Sequence, residues 1–130
     1  GASAPAFERV IMPNNVSTGV AYSDPALTAL YLTAPVTKTA SFSLGDSENF
    51  VVCSGASANV TVTLPSGSAY IGRVVNIKNL SGTYTVISAS SNVKPVSSAT
   101  AGTAILAATA GKWAQLVCED GTNWVVMAAG

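Results

Sequence analysis

The stretch Lys112 to Met127, KWAQLVCEDGTNWVVM, constrains this chain more than any other. Two apolar runs flank Glu119-Asp120-Gly121-Thr122. An Asp-Gly step between apolar runs is the strongest short-range hairpin signal. A loop over residues 119–122 sets Cys118 opposite Asn123, Val117 opposite Trp124 and Leu116 opposite Val125. One face of the ribbon then carries Trp113, Gln115, Val117, Trp124 and Val126. The other carries Ala114, Leu116, Cys118, Val125 and Met127. Neither face is polar, so neither can be left to water without cost. One face fills the protomer's own core, and the other is expected to be covered by another copy of the chain. Trp113, Leu116, Trp124, Val125 and Met127 are therefore the candidates for core or trimer interface.

Composition sharpens that demand. Hydrophobic residues make up 48% of the 130 positions but charged residues only 9%, against roughly a quarter in ordinary domains. Ser, Thr and Asn carry the polarity instead. A neutral, charge-poor monomer of this kind is poorly soluble, which favours a tightly packed oligomer. The length fits one domain, or one domain plus an arm. The cations Arg9, Lys38, Arg73, Lys78, Lys94 and Lys112 are scattered and form no basic stripe, which argues against binding nucleic acid or anionic membrane. No run of about 18 apolar residues exists, so no transmembrane helix is expected. No signal peptide is read at the start, and Gly1-Ala2-Ser3 fits a cloning or cleavage remnant on a fragment of a longer chain.

Residues 1–36 read as an irregular N-terminal arm or linker. Short apolar pieces there are separated by Pro13-Asn14-Asn15, Ser23-Asp24-Pro25 and Ala34-Pro35. Leu27, Leu30 and Tyr31 fit one helical face, yet Thr28 to Thr33 also fits a short strand. From Thr37 the pattern is one of strands. Lys38, Ala40, Phe42 and Leu44 alternate with Thr37, Thr39, Ser41 and Ser43. Asn49 to Cys53, Asn59 to Leu64, Tyr70 to Asn79, Thr83 to Ser88 and Thr103 to Ala107 follow, with turn formers between them. Gly72 suggests a bulge or a close backbone approach. Arg73 shares a face with Ile71, Val75 and Ile77 and must reach an edge or a carboxylate. Pro95 confines Val93 to Val96 to a sheet edge. Residues 37–130 thus read as an all-β domain, an antiparallel sandwich, barrel or β-prism built from meanders.

The order of these pieces carries a resemblance. Val62-Thr63-Leu64-Pro65-Ser66 is followed by Gly72-Arg73-Val74-Val75-Asn76-Ile77-Lys78-Asn79, by Gly82-Thr83-Tyr84-Thr85-Val86, and by Asp120-Gly121-Thr122-Asn123-Trp124-Val125-Val126 near the end. This resembles the C-terminal β domains of bacteriophage tail fibres and tailspikes, over roughly residues 40–128. The resemblance implies a homotrimeric virion protein of the phage tail, assembled in the host bacterial cytoplasm. Its role there would be trimerisation and receptor binding, with bacterial surface polysaccharide as the second partner after the chain itself. It transfers no catalytic residue. Where such domains often carry a glycine-and-aspartate stretch, this chain has Ser90 to Thr103.

The chemistry available is limited. With no histidine, Ser-His-Asp and Cys-His catalysis within one chain are excluded. Cys53 and Cys118 sit in apolar runs and read as buried free thiols, with a disulfide between them left open. Two cysteines without histidine make no ordinary zinc site. Asp46, Glu48, Glu119 and Asp120 fall in turns, lack the spacing of a calcium loop and read as solvated turn residues. No enzyme, metal or cofactor is expected. Tyr70 and Tyr84, beside Ser/Asn/Gly turns, are the candidates for stacking on a sugar. The alternatives to a fibre-tip module are a stand-alone carbohydrate-binding or adhesion domain and, third, a fragment of a polysaccharide depolymerase.

Overall fold

The computed structural model describes residues 33–130. The helix reading of Leu27, Leu30 and Tyr31 lies outside them, as does the strand reading of Thr28 to Thr33 except for Thr33 itself, and so does most of the expected arm. Its last residue is a strand residue, since Val36 pairs with Val51. The described residues form ten strands: β1 (Val36–Lys38), β2 (Phe42–Ser43), β3 (Phe50–Cys53), β4 (Val60–Thr63), β5 (Val74–Asn79), β6 (Val86–Ser88), β7 (Val93–Lys94), β8 (Ala104–Leu106), β9 (Lys112–Cys118) and β10 (Trp124–Ala129). Six build one sheet in the order β1-β3-β5-β9-β10-β7, and four build a second in the order β2-β4-β6-β8. The all-β expectation holds.

The expected antiparallel meander does not. From β1 to β9 the chain crosses to the other sheet at every step, so sequence neighbours are not sheet neighbours. β1, β3 and β5 therefore run parallel, as do β2, β4 and β6, and β7 is parallel to β10. Only β5/β9, β9/β10 and β6/β8 are antiparallel. The first six strands make three turns of a flattened coil. Turn residues announce a change of direction but not the sheet in which the next strand lands, and period-2 alternation looks the same in both topologies. Side chains at the corners tie successive turns together. Ser41 Oγ accepts from the Thr61 amide at 2.9 Å, and Asn59 Oδ1 accepts from the Thr85 amide at 3.0 Å.

The core lies between the sheets. Val51, Val75, Ile77, Leu116, Trp124 and Val126 of the larger sheet meet Val60, Val62, Val86 and Leu106 of the smaller, all buried. One buried side-chain amide is fully used: Asn79 Nδ2 donates to the Tyr84 and Ala107 carbonyls, each at 2.9 Å, and Oδ1 accepts from the Ser81 amide at 3.0 Å. Asn79 thus joins β5 to the loops beside β6 and β8 without an orphaned polar atom.

The terminal hairpin exists, but its register differs by one residue from the expected one. Cys118 opposes Trp124, Val117 opposes Val125 and Leu116 opposes Val126. The cause is the Asp120 side chain. Its Oδ1 accepts from the amides of Thr122 (2.9 Å) and Asn123 (2.6 Å), which draws Asn123 into the loop. Gly121 supplies φ +86° at the apex. A Cβ there would come within 3.0 Å of the Gly67 backbone, whose amide donates to the Gly121 carbonyl at 2.7 Å. A one-residue slip sends every side chain of a strand to the opposite face. Trp124 and Val126 therefore point inward with Leu116, and Val125 points outward with Val117. A bulge between Val126 and Ala128 then sets Met127 apart as an extra, exposed residue.

The expected long strand from Tyr70 is also shorter. Ser68–Tyr70 is a 3-10 turn, and Gly72 at φ +88° breaks the extended run, so β5 begins at Val74. A Cβ at Gly72 would meet nothing within 4 Å, so its conformation, not a close approach, is what requires glycine. No helix of the described residues is long and apolar enough to cross a membrane.

Trp124 is fully buried and its Nε1 donates to the Pro65 carbonyl at 3.1 Å. Trp124→Ala is expected to lower unfolding free energy in urea by about 3–5 kcal/mol, and Val125→Ala by markedly less. The reverse ranking would contradict the register.

Candidate functional site: the outer face of the larger sheet

The two sheets turn different chemistry outward. The smaller shows Ser43, Thr61, Thr63 and Ile87, mostly hydroxyls that water can satisfy. The larger shows three rows set by strand register. Val74, Val117, Val125 and Lys94 lie side by side across β5, β9, β10 and β7. Next come Phe50, Asn76 and Gln115, with Gln115 Nε2 donating to Asn76 Oδ1 at 3.4 Å. Last come Thr37, Val52, Lys78 and Trp113. β-branched residues suit a pleated surface, but on this surface no strand of the described residues covers them. Val74 is 40% exposed and Trp113 41%. Beyond the amide pair, Pro35, Phe50, Val52, Asn76, Lys78 and Trp113 enclose a groove of about 300 Å3.

Of the residues flagged in the sequence, Leu116 and Trp124 are core, while Trp113, Val125 and Met127 reach the surface. Val74, Lys78 and Phe50 were not flagged. Val74 and Lys78 alternate with the inward Val75 and Ile77, which was readable. Their meeting with Phe50 depends on the parallel β3/β5 pair, which an antiparallel meander does not supply.

Tyr70 and Tyr84 are not brought together. Tyr70 precedes β5 beside the hairpin loop, and Tyr84 follows its other end, with the strand's length of roughly 17–20 Å between them. Tyr70 OH donates to Asp46 Oδ1 at 3.1 Å, and this bond and the carboxylate's charge hold the phenol's pKa above its ordinary value. Both rings are half-buried, and Tyr70 packs on the core.

An ion cluster fixes the loop between β2 and β3. Lys38 Nζ donates to Glu48 Oε2 at 2.7 Å, and the Gly45 amide donates to Oε1 at 2.8 Å. The Lys38 bond, then the Gly45 amide, hold the Glu48 carboxyl below its usual range, helped by the charge of Arg73. Among the described residues Arg73 reaches no carboxylate. Its Nη2 donates to the carbonyls of Gly45 and Glu48, and Nε and Nη1 are buried with no partner among the described residues. The guanidinium holds the loop's backbone, a contact that the residue types alone do not reveal. Lys94 pairs with Glu119 at 2.9 Å on the exposed rim.

Cys53 and Cys118 are both free and buried. Cys53 is level with Asn79 at one end of β5, while the Cys118 amide bonds the Arg73 carbonyl beyond the other. With β5 between them, roughly 20 Å separates thiols that a disulfide would need within about 7 Å between Cα atoms. Burial pushes the Cys53 thiol up to about 11. No group of three or more His, Cys, Asp or Glu side chains among the described residues is placed to hold a metal ion. The chain matches no protein-family model and no curated protein.

A depressed carboxyl pKa in the fold stabilises the protein above the ordinary carboxylate pKa of about 4.3. That stability is lost as pH falls through the lower, folded value. An NMR titration should show Glu48 titrating below free glutamate, and Lys38→Ala should move it back up. An unchanged Glu48 midpoint in the variant would contradict the ion pair. For the cysteines, an aromatic disulfide reagent should titrate neither thiol in the native protein and both in denaturant, without prior reduction.

Proposed function

We propose that this chain is a non-enzymatic structural module of a virion, the distal β domain of a phage tail fibre or tailspike, which locks three chains in register and meets bacterial surface polysaccharide. The observation that carries the reading is the run of three valines, Val74, Val117 and Val125, on a face the described strands leave open. A surface that packs against its own copies must tolerate its own charge, and the one charge in this row, Lys94 at its β7 end, is paired with Glu119. The three valines span β5, β9 and β10, two strand spacings of about 4.8 Å. At about 25 cal/mol per Å2, even a few hundred Å2 of apolar area per chain contributes several kcal/mol, less the entropy of association. A closed ring of three gives each chain two such contacts. The order of the LPS, GRVVNIKN and DGTNW pieces supports the same reading through its resemblance to tail-fibre tips.

Light scattering should give a mass three times the 13.0 kDa chain. Val74→Asp should shift it towards one chain while the β-type circular dichroism spectrum persists. A wild-type protein at single-chain mass would overturn the trimer and support the stand-alone carbohydrate-binding alternative.

A further inference from the structure

We propose that the Trp113 indole of each chain seats in the groove beside Phe50 of the next chain, closing the ring of three. The inference rests on the trimer reading above and deepens it by naming a contact between neighbouring copies.

The groove calls for an apolar occupant. Pro35, Phe50, Val52 and Trp113 wall it, and no carboxylate of the described residues lines it. Asn76, the one amide there, already has its Oδ1 bonded by Gln115. Lys78 lines it too but is exposed, which lets its ammonium remain in water above a seated ring. The volume, about 300 Å3, holds one large side chain and not a folded segment.

Each copy carries such a side chain. Trp113 is the largest apolar side chain exposed among the described residues. Aromatic residues are enriched at the centres of interfaces, Trp above all at the positions that carry the binding energy. The indole leans away from its own groove. Trp113 and Gly130 exchange two backbone hydrogen bonds of 3.1 Å, and the ring lies so close over Gly130 that a Cβ there would collide with its Nε1. That tilt towards the β10 side leaves the space over β5 open. Indole and groove also share one level, since Val52, Lys78 and Trp113 oppose one another across β3, β5 and β9. Contacts in a closed ring join two different surfaces of the same chain. A threefold axis along the strands keeps the level and sets the β9–β10 side of one chain against the β3–β5 side of the next. The valine row is on the same face, so the two contacts form one continuous surface.

Photocrosslinking of the full chain tests the seat directly. Trp113→p-benzoylphenylalanine puts a reactive ketone in the indole's place. Irradiation should join chains in pairs or threes on a denaturing gel, and mass spectrometry should map the link to the peptide holding Phe50 and Val52. Trp113→Ala should raise the concentration at which trimers dissociate tenfold or more, with the β-type circular dichroism spectrum kept. Val52→Trp, which fills the groove from its own chain, should do the same. Links only within one chain, links to residues 1–32, unchanged dissociation in Trp113→Ala, or saturable uptake of laurate by the trimer would overturn the seat. Any of these in a protein of three-chain mass leaves the trimer reading standing, whereas a wild type at single-chain mass overturns both.

Discussion

The indole of Trp124 holds this domain together at the place where both sheets and the last hairpin converge. It belongs to β10 of the larger sheet, yet its Nε1 bonds the Pro65 carbonyl, just past the end of β4 in the smaller. Leu116 and Val126 bracket it across the β9–β10 ladder, and none of the three reaches solvent appreciably. Burying so large a side chain with its one donor satisfied stabilises more than any other residue here. It also decides which face of β10 is inside, and through β9 and β5 what the whole larger sheet shows outward.

That outward face is where the described strands leave apolar side chains uncovered. Because strands cross between sheets at each step, β1, β3 and β5 stack in parallel and bring Phe50 and Val52 beside Asn76 and Lys78. The antiparallel return of β9 adds Trp113, Gln115 and Val117 to the same surface. One sheet face then carries two kinds of chemistry, valines at the hairpin end and a cation with aromatic walls at the other. The loop over residues 45–48, held by Arg73 and by the Lys38–Glu48 pair, leads directly into β3 and so positions the Phe50 wall. Solvent-facing threonines and serine on the smaller sheet leave that side content in water.

Much of the β character was legible in the sequence. The alternation of Val60, Val62 and Leu64 with Thr61 and Thr63 placed one strand and its faces, and Pro95 marked an edge. Topology was not legible, because a sheet-to-sheet corner and a hairpin use the same turn residues. The hairpin's position was legible from Asp120-Gly121, but its register hung on two hydrogen bonds from backbone amides to Asp120 Oδ1. Counting loop residues could not anticipate that. The slip changed which residues the hairpin turns outward: Val125 joined Val117, and Trp124 went inside. The groove was hidden for the same reason as the topology. Its walls come from β3, β5 and β9, which are distant in sequence and adjacent only in the observed sheet order.

The register of β9 against β10 is the claim on which core, face and groove all stand, and cross-strand NOEs in solution test it most directly. The structure requires contacts pairing Cys118 with Trp124 and Val117 with Val125. Contacts pairing Val117 with Trp124 and Leu116 with Val125 would put the indole on the outside and contradict the account.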